Sequence, residues 1–251
     1  MSERNIKLLV EYRGTAYAGW QIQANQQTIQ GELTNAIFQT TGQKVNLIGA
    51  GRTDAGVHAL GQTANFRINH HIEPEKYKEA LNFYLDDDIR VKKSYEVSID
   101  FHSRKHALWK RYRYLIGTER SALFRELRWE IERDLDFSKL KSAAEFIVGE
   151  HDFSPFCVVS SRKEDNHCII HTAKWTLVGP LLVFEIRGNR FLHNMVRILV
   201  GAMVNLATIK SDNHRENLTL DRFADILSVP TDKRVVFTAP PQGLYLVTVN
   251  Y

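Results

Sequence analysis

Gly49-Ala50-Gly51-Arg52-Thr53-Asp54-Ala55-Gly56-Val57-His58-Ala59-Leu60-Gly61-Gln62 puts four glycines into fourteen residues, with Val45 and Leu47 ahead of it and Ala64, Phe66 and Ile68 behind. Glycine at that density marks a backbone that turns tightly or passes close to another segment. The apolar runs on either side read as strands that lead into and out of the turn. Asp54 sits in its middle and is the only carboxylate between Leu33 and Ile72. Arg52 and His58 flank it, a field that favours the ionised acid. A lone charged carboxylate held on such a turn has what a nucleophile or base needs. The plainer reading is an Asx-turn, in which Asp54 caps its own loop. Spacing leaves both open.

Outward from the turn, Ile6, Leu8, Val10 and Tyr12 alternate with Lys7, Leu9 and Glu11 and predict a strand. Thr28 is placed to cap a helix whose apolar face is Ile29, Leu33, Ala36 and Ile37, closed by Gly42. Pro74 suits the first turn of a second helix with Tyr77, Ala80, Leu81 and Tyr84 on one face, followed by a strand from Ile89 to about Val97. The second half repeats the pattern. Tyr112, Tyr114 and Ile116 alternate with Arg111, Arg113 and Leu115. Asp136 caps a helix carrying Leu140, Ala144 and Ile147, ended by Gly149. Ile169–Val178 and Leu181–Ile186 form a hairpin around Gly179-Pro180. Phe191–Ile209 reads as a long helix with Leu192, Val196, Leu199 and Met203 inward. A short helix with Phe223, Ile226 and Leu227 and a last strand from Leu244 to Asn250 complete the chain.

Strand, helix, paired strands, helix, strand, written twice, is similar to two ferredoxin-like (split βαβ) units. The expected class is α+β with mostly antiparallel sheets, divided into halves 1–104 and 105–251. Gln23–Gln27 and Ser160–Asn166 are the expected mobile loops.

The chain has 251 residues, 43% apolar and 25% charged, enough for a sizeable core and ordinary in balance. It contains no long uncharged apolar run, so no membrane span is expected. Met1–Ile6 lacks the apolar core of a signal peptide. Cys157 and Cys168 form neither a CxxC pair nor a disulfide framework, so reduced thiols and a cytoplasmic location are expected. The net charge of +4 says little, but its distribution says more. Phe101–Thr118 holds Arg104, Lys105, Lys110, Arg111 and Arg113 without an acid. Ile186–Lys210 holds Arg187, Arg190 and Arg197 with none either. These tracts suggest a phosphate-facing surface, with ordinary solvated faces as the alternative.

Tyr112, beside arginines in Lys110-Arg111-Tyr112-Arg113-Tyr114, suits a base stacked on a ring with phosphates nearby, or else is a core strand residue. On the predicted helix His193 and Arg197 share a face between Leu192 and Val196. A partly buried Arg197 then needs a carboxylate, unless it snorkels over core methylenes. Arg52 is either a functional cation of the glycine-rich loop or a plain phosphate contact. His58 reads as loop packing. His70-His71 and Cys157…His167-Cys168 lack metal-ligand spacing, so no metal is expected.

Gly51-Arg52-Thr53-Asp54-Ala55-Gly56-Val57-His58 resembles the signature of the bacterial tRNA pseudouridine synthase A family. Tyr17-Ala18-Gly19-Trp20-Gln21 resembles its Gly-Trp-Gln segment, and the likeness runs from Val10-Glu11-Tyr12 to Gly243-Leu244-Tyr245-Leu246-Val247. The resemblance implies that two sheets join across a central catalytic cleft. It also implies that Asp54 is the catalytic nucleophile, that Tyr112 stacks on the base, that Arg52 helps extrude it, and that Arg197 forms an ion pair with Asp54. The implied reaction converts uridine to pseudouridine at positions 38, 39 and 40 of the anticodon stem-loop of tRNA. It breaks the N1–C1′ bond and rejoins the base through C5, with no electrons exchanged, so no cofactor is expected. A homodimer is implied as well. Departures from the family pattern are Ser103 where Ala is common, Lys105-His106, and Asp86-Asp87-Asp88 before Ile89.

A glycoside hydrolase would need a second carboxylate, for which Asp100, Asp152 and Glu185 are candidates. A non-catalytic RNA-binding module would account for the basic tracts and Tyr112, but not for an exposed carboxylate that repels phosphate.

Overall fold

The computed structural model describes residues 2–209, 218–228 and 235–251; Lys210, the last residue of the second basic tract, lies outside them. Strands and helices follow as β1 (Arg4–Tyr12), α1 (Ile29–Thr41), β2 (Ile48–Gly49), β3 (His58–Ile68), α2 (Tyr77–Tyr84) and β4 (Ile89–Val97). After these come β5 (Trp109–Gly117), β6 (Trp129–Glu130), α3 (Phe137–Phe146), β7 (Gly149–Asp152), β8 (His167–Val178), β9 (Leu181–Gly188), α4 (Met195–Ala207), α5 (Leu220–Ser228) and β10 (Leu244–Asn250). Helices and mostly antiparallel strands make up two compact units. One comprises residues 1–110 with 245–251, the other residues 111–244. This differs from a simple halving of the chain, because the last strand returns to the first unit and adds to β3 in parallel, Tyr245 opposite His58.

In the first unit the sheet order is β4-β1-β3, with β2 and β10 both on the outer side of β3. β1 is antiparallel to β3 and to β4, and the register sets Ile6 against Phe66 and Leu8 against Ala64. Period-2 alternation puts Ile6, Leu8, Val10 and Tyr12 on the buried face, as expected. α1 starts where the Thr28 hydroxyl accepts from Gly31 N and ends at Gly42, whose φ of 71° lies in the left-handed region. Its buried residues are Ile29, Leu33, Ala36 and Ile37. In α2, Tyr77 and Leu81 are buried, and the Tyr77 ring meets Phe66 edge-on at 5.6 Å. Tyr84, expected on the same face, is exposed, because it is the final residue of a helix that stops at the extended Leu85.

The opposite face of this sheet is covered by the chain that follows β4. Asn5 Nδ2 donates to the carbonyls of Ser98 and Phe101, and Asn65 Nδ2 to Asn5 Oδ1 at 2.9 Å. Asn65 Oδ1 accepts from Ser103 N at 2.9 Å and from Ser103 Oγ at 2.7 Å. Lys7 Nζ lies 4.0 Å from the centre of the Tyr251 ring and 4.7 Å from that of Phe101.

In the second unit the order is β5-β9-β8-β7, with β6 beside β5. Asp136 caps α3 by accepting from Ser138 N and Lys139 N, as expected. α4 is buried on nearly every side and packs against Trp175 of β8, whose Nε1–H points at Met203 Sδ at 3.4 Å. It is shorter than the sequence reading. Asn194 has φ 62°, a left-handed residue that breaks the helix before Met195. His193 therefore lies outside α4, and the argument that it shares a helical face with Arg197 fails. Cys157 and Cys168 are buried free thiols. Among the described residues no helix is long and apolar enough to cross a membrane.

Candidate functional site

The Asp54 turn is fastened on both sides within the first unit. The buried Tyr12 hydroxyl and Thr53 Oγ1 are 2.7 Å apart, and Trp20 N donates to Thr53 O at 3.0 Å. Gln62 Nε2 donates to Gly51 O at 2.9 Å, and Ala50 N to Thr63 O at 2.8 Å. Val57 N donates to Asp54 O at 3.2 Å, closing the turn through Gly56, whose φ of 77° favours glycine. Gly14 N donates to His58 Nδ1 at 3.1 Å, and the His58 ring stacks on Tyr245 at 4.8 Å. His58 is thus the packing residue that the sequence suggested. A Cβ on Gly14 would lie 2.0 Å from the Val57 carbonyl oxygen, so only glycine lets the two segments touch.

These bonds hold the loop on both sides of Asp54. Asp54 is half-buried, between the buried Thr53 and the exposed Ala55. Arg52 is exposed, and its Nε donates to Gln21 Oε1 at 3.1 Å, which joins the Gly-Trp-Gln segment to the glycine-rich loop.

In the second unit Tyr112 is 7% exposed and meets Phe191 edge-on at 5.0 Å. It is a well-packed strand residue with little open ring surface. Tyr114 is fully buried, its hydroxyl donates to Pro240 O at 2.7 Å, and burial pushes its pKa well above the ordinary tyrosine value. Arg197 is half-buried in the first turn of α4. Its Nε donates to Ala239 O at 2.9 Å and its Nη1 to Asn194 Oδ1 at 3.0 Å, while its own carbonyl accepts from Ala239 N at 3.0 Å. The guanidinium direction is therefore fixed by Asn194 and Ala239, two partners that the sequence pattern did not single out.

Other charges found in the sequence are already engaged. Arg113 pairs with Glu185 at 2.9 Å and Arg190 with Asp165 at 3.3 Å, so at both arginines a carboxylate competes with phosphate. Asp152 accepts from Ser154 N at 2.8 Å and lies 3.0 Å from its hydroxyl. Two of the three candidate second acids, Asp152 and Glu185, are thus tied to structural partners. Asp88 pairs with Arg13 at 2.8 Å and Asp87 with Arg90, so two acids of the Asp86–Asp88 run are neutralised locally. Among the described residues no three His, Cys, Asp or Glu side chains converge as metal ligands.

A family described as tRNA pseudouridine synthase matches residues 8–104 and 143–251. The chain is 44% identical to a tRNA pseudouridine synthase A from Acetivibrio thermocellus over 250 residues, covering 99% of this chain and all of that one. It is 42% identical to one from Thermoanaerobacter pseudethanolicus, covering 99% of this chain and all of that one. It is 36% identical to one from Brachyspira hyodysenteriae, covering 96% of each chain.

Proposed function

The chain belongs to the tRNA pseudouridine synthase family, and from that premise we propose a division of labour among Asp54, Arg52, Tyr112 and Arg197. The protein is an isomerase that converts uridine in tRNA to pseudouridine. In this reaction the bond from N1 to C1′ breaks, a bond from C5 to C1′ forms, the hydrogen on C5 leaves to solvent, and N1 takes up a proton. The target nucleotide must first leave its stack, at a cost of about a few kcal/mol that contacts to the RNA offset.

Asp54 is the nucleophile. The observation that carries this assignment is a loop fixed on both sides of Asp54 by Tyr12, Trp20 and Gln62, which gives the carboxylate a set position on a glycine-rich turn. Arg52, exposed on that loop, enters the space from which the base is drawn. Tyr112 closes against the displaced base through the limited ring surface left by Phe191. Arg197, pinned by Asn194 and Ala239, keeps the reacting carboxylate charged.

Other parts of the reading have separate support. The antiparallel order β4-β1-β3-β2 in the first unit favours a split βαβ half. The sequence resemblance favours positions 38, 39 and 40 of the anticodon stem-loop, a homodimer and a cytoplasmic location.

The test uses unmodified tRNA transcripts carrying tritium at uridine C5. Wild-type protein releases tritium and forms pseudouridine at the mapped positions. Asp54→Ala binds the same tRNA within about threefold and releases none, while Arg52→Ala, Tyr112→Leu and Arg197→Met each lower the single-turnover rate by about tenfold or more. Normal tritium release by Asp54→Ala would overturn the assignment.

A further inference from the structure

Lys110, the second residue of β5, lies against the glycine-rich loop. Its Cε is 3.5 Å and its Nζ 3.9 Å from where a Cβ on Gly51 would stand, one residue before Arg52. These are ordinary contact distances, so the Lys110 stem rests on the loop. Burial is the larger cause and the charge of Arg104 the second of a Lys110 pKa pushed below the ordinary lysine value. The charge of Arg104 is thus felt at Lys110. Among the described residues of the first unit, no carboxylate pairs with either.

Arg104 is exposed, but its backbone is not loose. The adjacent Ser103 is fastened through its N and Oγ to Asn65 Oδ1, and Tyr251 donates its hydroxyl to Ser103 O at 2.8 Å. Holding one ammonium partly out of water beside a like charge costs free energy unless an anion is supplied.

We propose that Lys110 and Arg104 form a phosphodiester site that grips the tRNA backbone alongside the Gly51–Asp54 turn. This site rests on the reading of the protein as an enzyme acting on tRNA. It differs from the general basic surface suggested by the sequence, because Arg113 and Arg190, from the same tracts, are paired with Glu185 and Asp165. The ligand is the phosphate of the RNA backbone, recognised by charge and not by base. Lys110 binds as a point charge with a desolvated stem, and Arg104 supplies a second set of donors from a fixed main chain.

The experiment measures binding of an unmodified tRNA transcript as a function of salt for full-length wild type, Lys110→Met and Arg104→Gln, with tritium release measured in parallel. Methionine keeps the apolar stem over Gly51 and removes only the charge. Each variant is expected to bind about tenfold more weakly at low salt, and to reduce the slope of log K against log salt by roughly 0.7–0.9. The melting temperature of Lys110→Met should hold or rise, whereas a lysine placed for packing or pairing would leave a less stable protein. Arg104→Gln, at an exposed position, keeps the test readable should Lys110→Met fold poorly. Wild-type tritium release together with wild-type salt slopes in both variants sinks this site alone. Absence of release by wild type on every tRNA sinks the enzymatic reading and the site with it.

Discussion

Ser103 shows how far one hydroxyl can be weighed from its surroundings. The family resemblance places alanine at this position, and the structure gives the serine a partner, Asn65 Oδ1 at 2.7 Å. The same oxygen also accepts from Ser103 N, so Ser103→Ala leaves no acceptor empty and should cost only about 0.5–1.5 kcal/mol. Asn65→Ala is a different matter. It strips Asn5 Oδ1 of a donor and both Ser103 N and Ser103 Oγ of an acceptor inside a buried network, and should cost about 2–4 kcal/mol from these three groups. Urea denaturation of the two variants checks the order; equal losses would mean that the network relaxes around water. None of this was legible from the sequence. Asn5, Asn65 and Ser103 stand far apart along the chain, and no local pattern links an asparagine on one strand to a serine beyond another. Asp54, by contrast, could be singled out early, because its isolation among glycines is a property of neighbouring residues.

Among the elements, those whose ends are set by their own side chains were the readable ones. Thr28 and Gly42 close α1, and Asp136 opens α3, through contacts of two to four residues' reach. α4 was overextended because apolar periodicity continues through Phe191 and Leu192, while the backbone turns over at Asn194. A left-handed asparagine costs little and leaves no mark in a hydrophobic pattern. The turn carrying Asp54 is set by close approach of two segments, and Gly14 tests it. An added Cβ would press on the main chain of Val57, whose N–H closes the Asp54 turn, so the strain has no flexible side chain to absorb it. Gly14→Ala is expected to lose about 1–3 kcal/mol of stability and to slow tritium release by at least tenfold in the protein that remains folded. An unchanged single-turnover rate would show that the turn tolerates the shift.

At the scale of the whole molecule, burial of ionisable groups makes a statement about alkaline pH. The Cys168 thiol is pushed up from 9.0 to about 12, chiefly by burial. The hydroxyls of Tyr17 and Tyr245 are pushed from 10.0 to about 12, with burial again the largest cause. Each group keeps its proton in the folded protein after the unfolded chain has begun to lose it. Stability from these groups is therefore complete below about pH 9 and lost as pH rises towards about 12. The denaturation midpoint should fall steadily through that window, and a flat midpoint up to pH 11 would contradict it. What the sequence determined by itself was local: strand alternation, helix caps and the lone acid of a glycine-rich turn, because period and capping act over a few residues. Tertiary structure alone decided that β10 returns to β3, that Asn65 holds Ser103, that Glu185 and Asp165 claim Arg113 and Arg190, and that Lys110 rests on Gly51. Those outcomes depend on which distant segments share space once the apolar faces are buried, and burial is a property of the packed whole, not of any window of the chain.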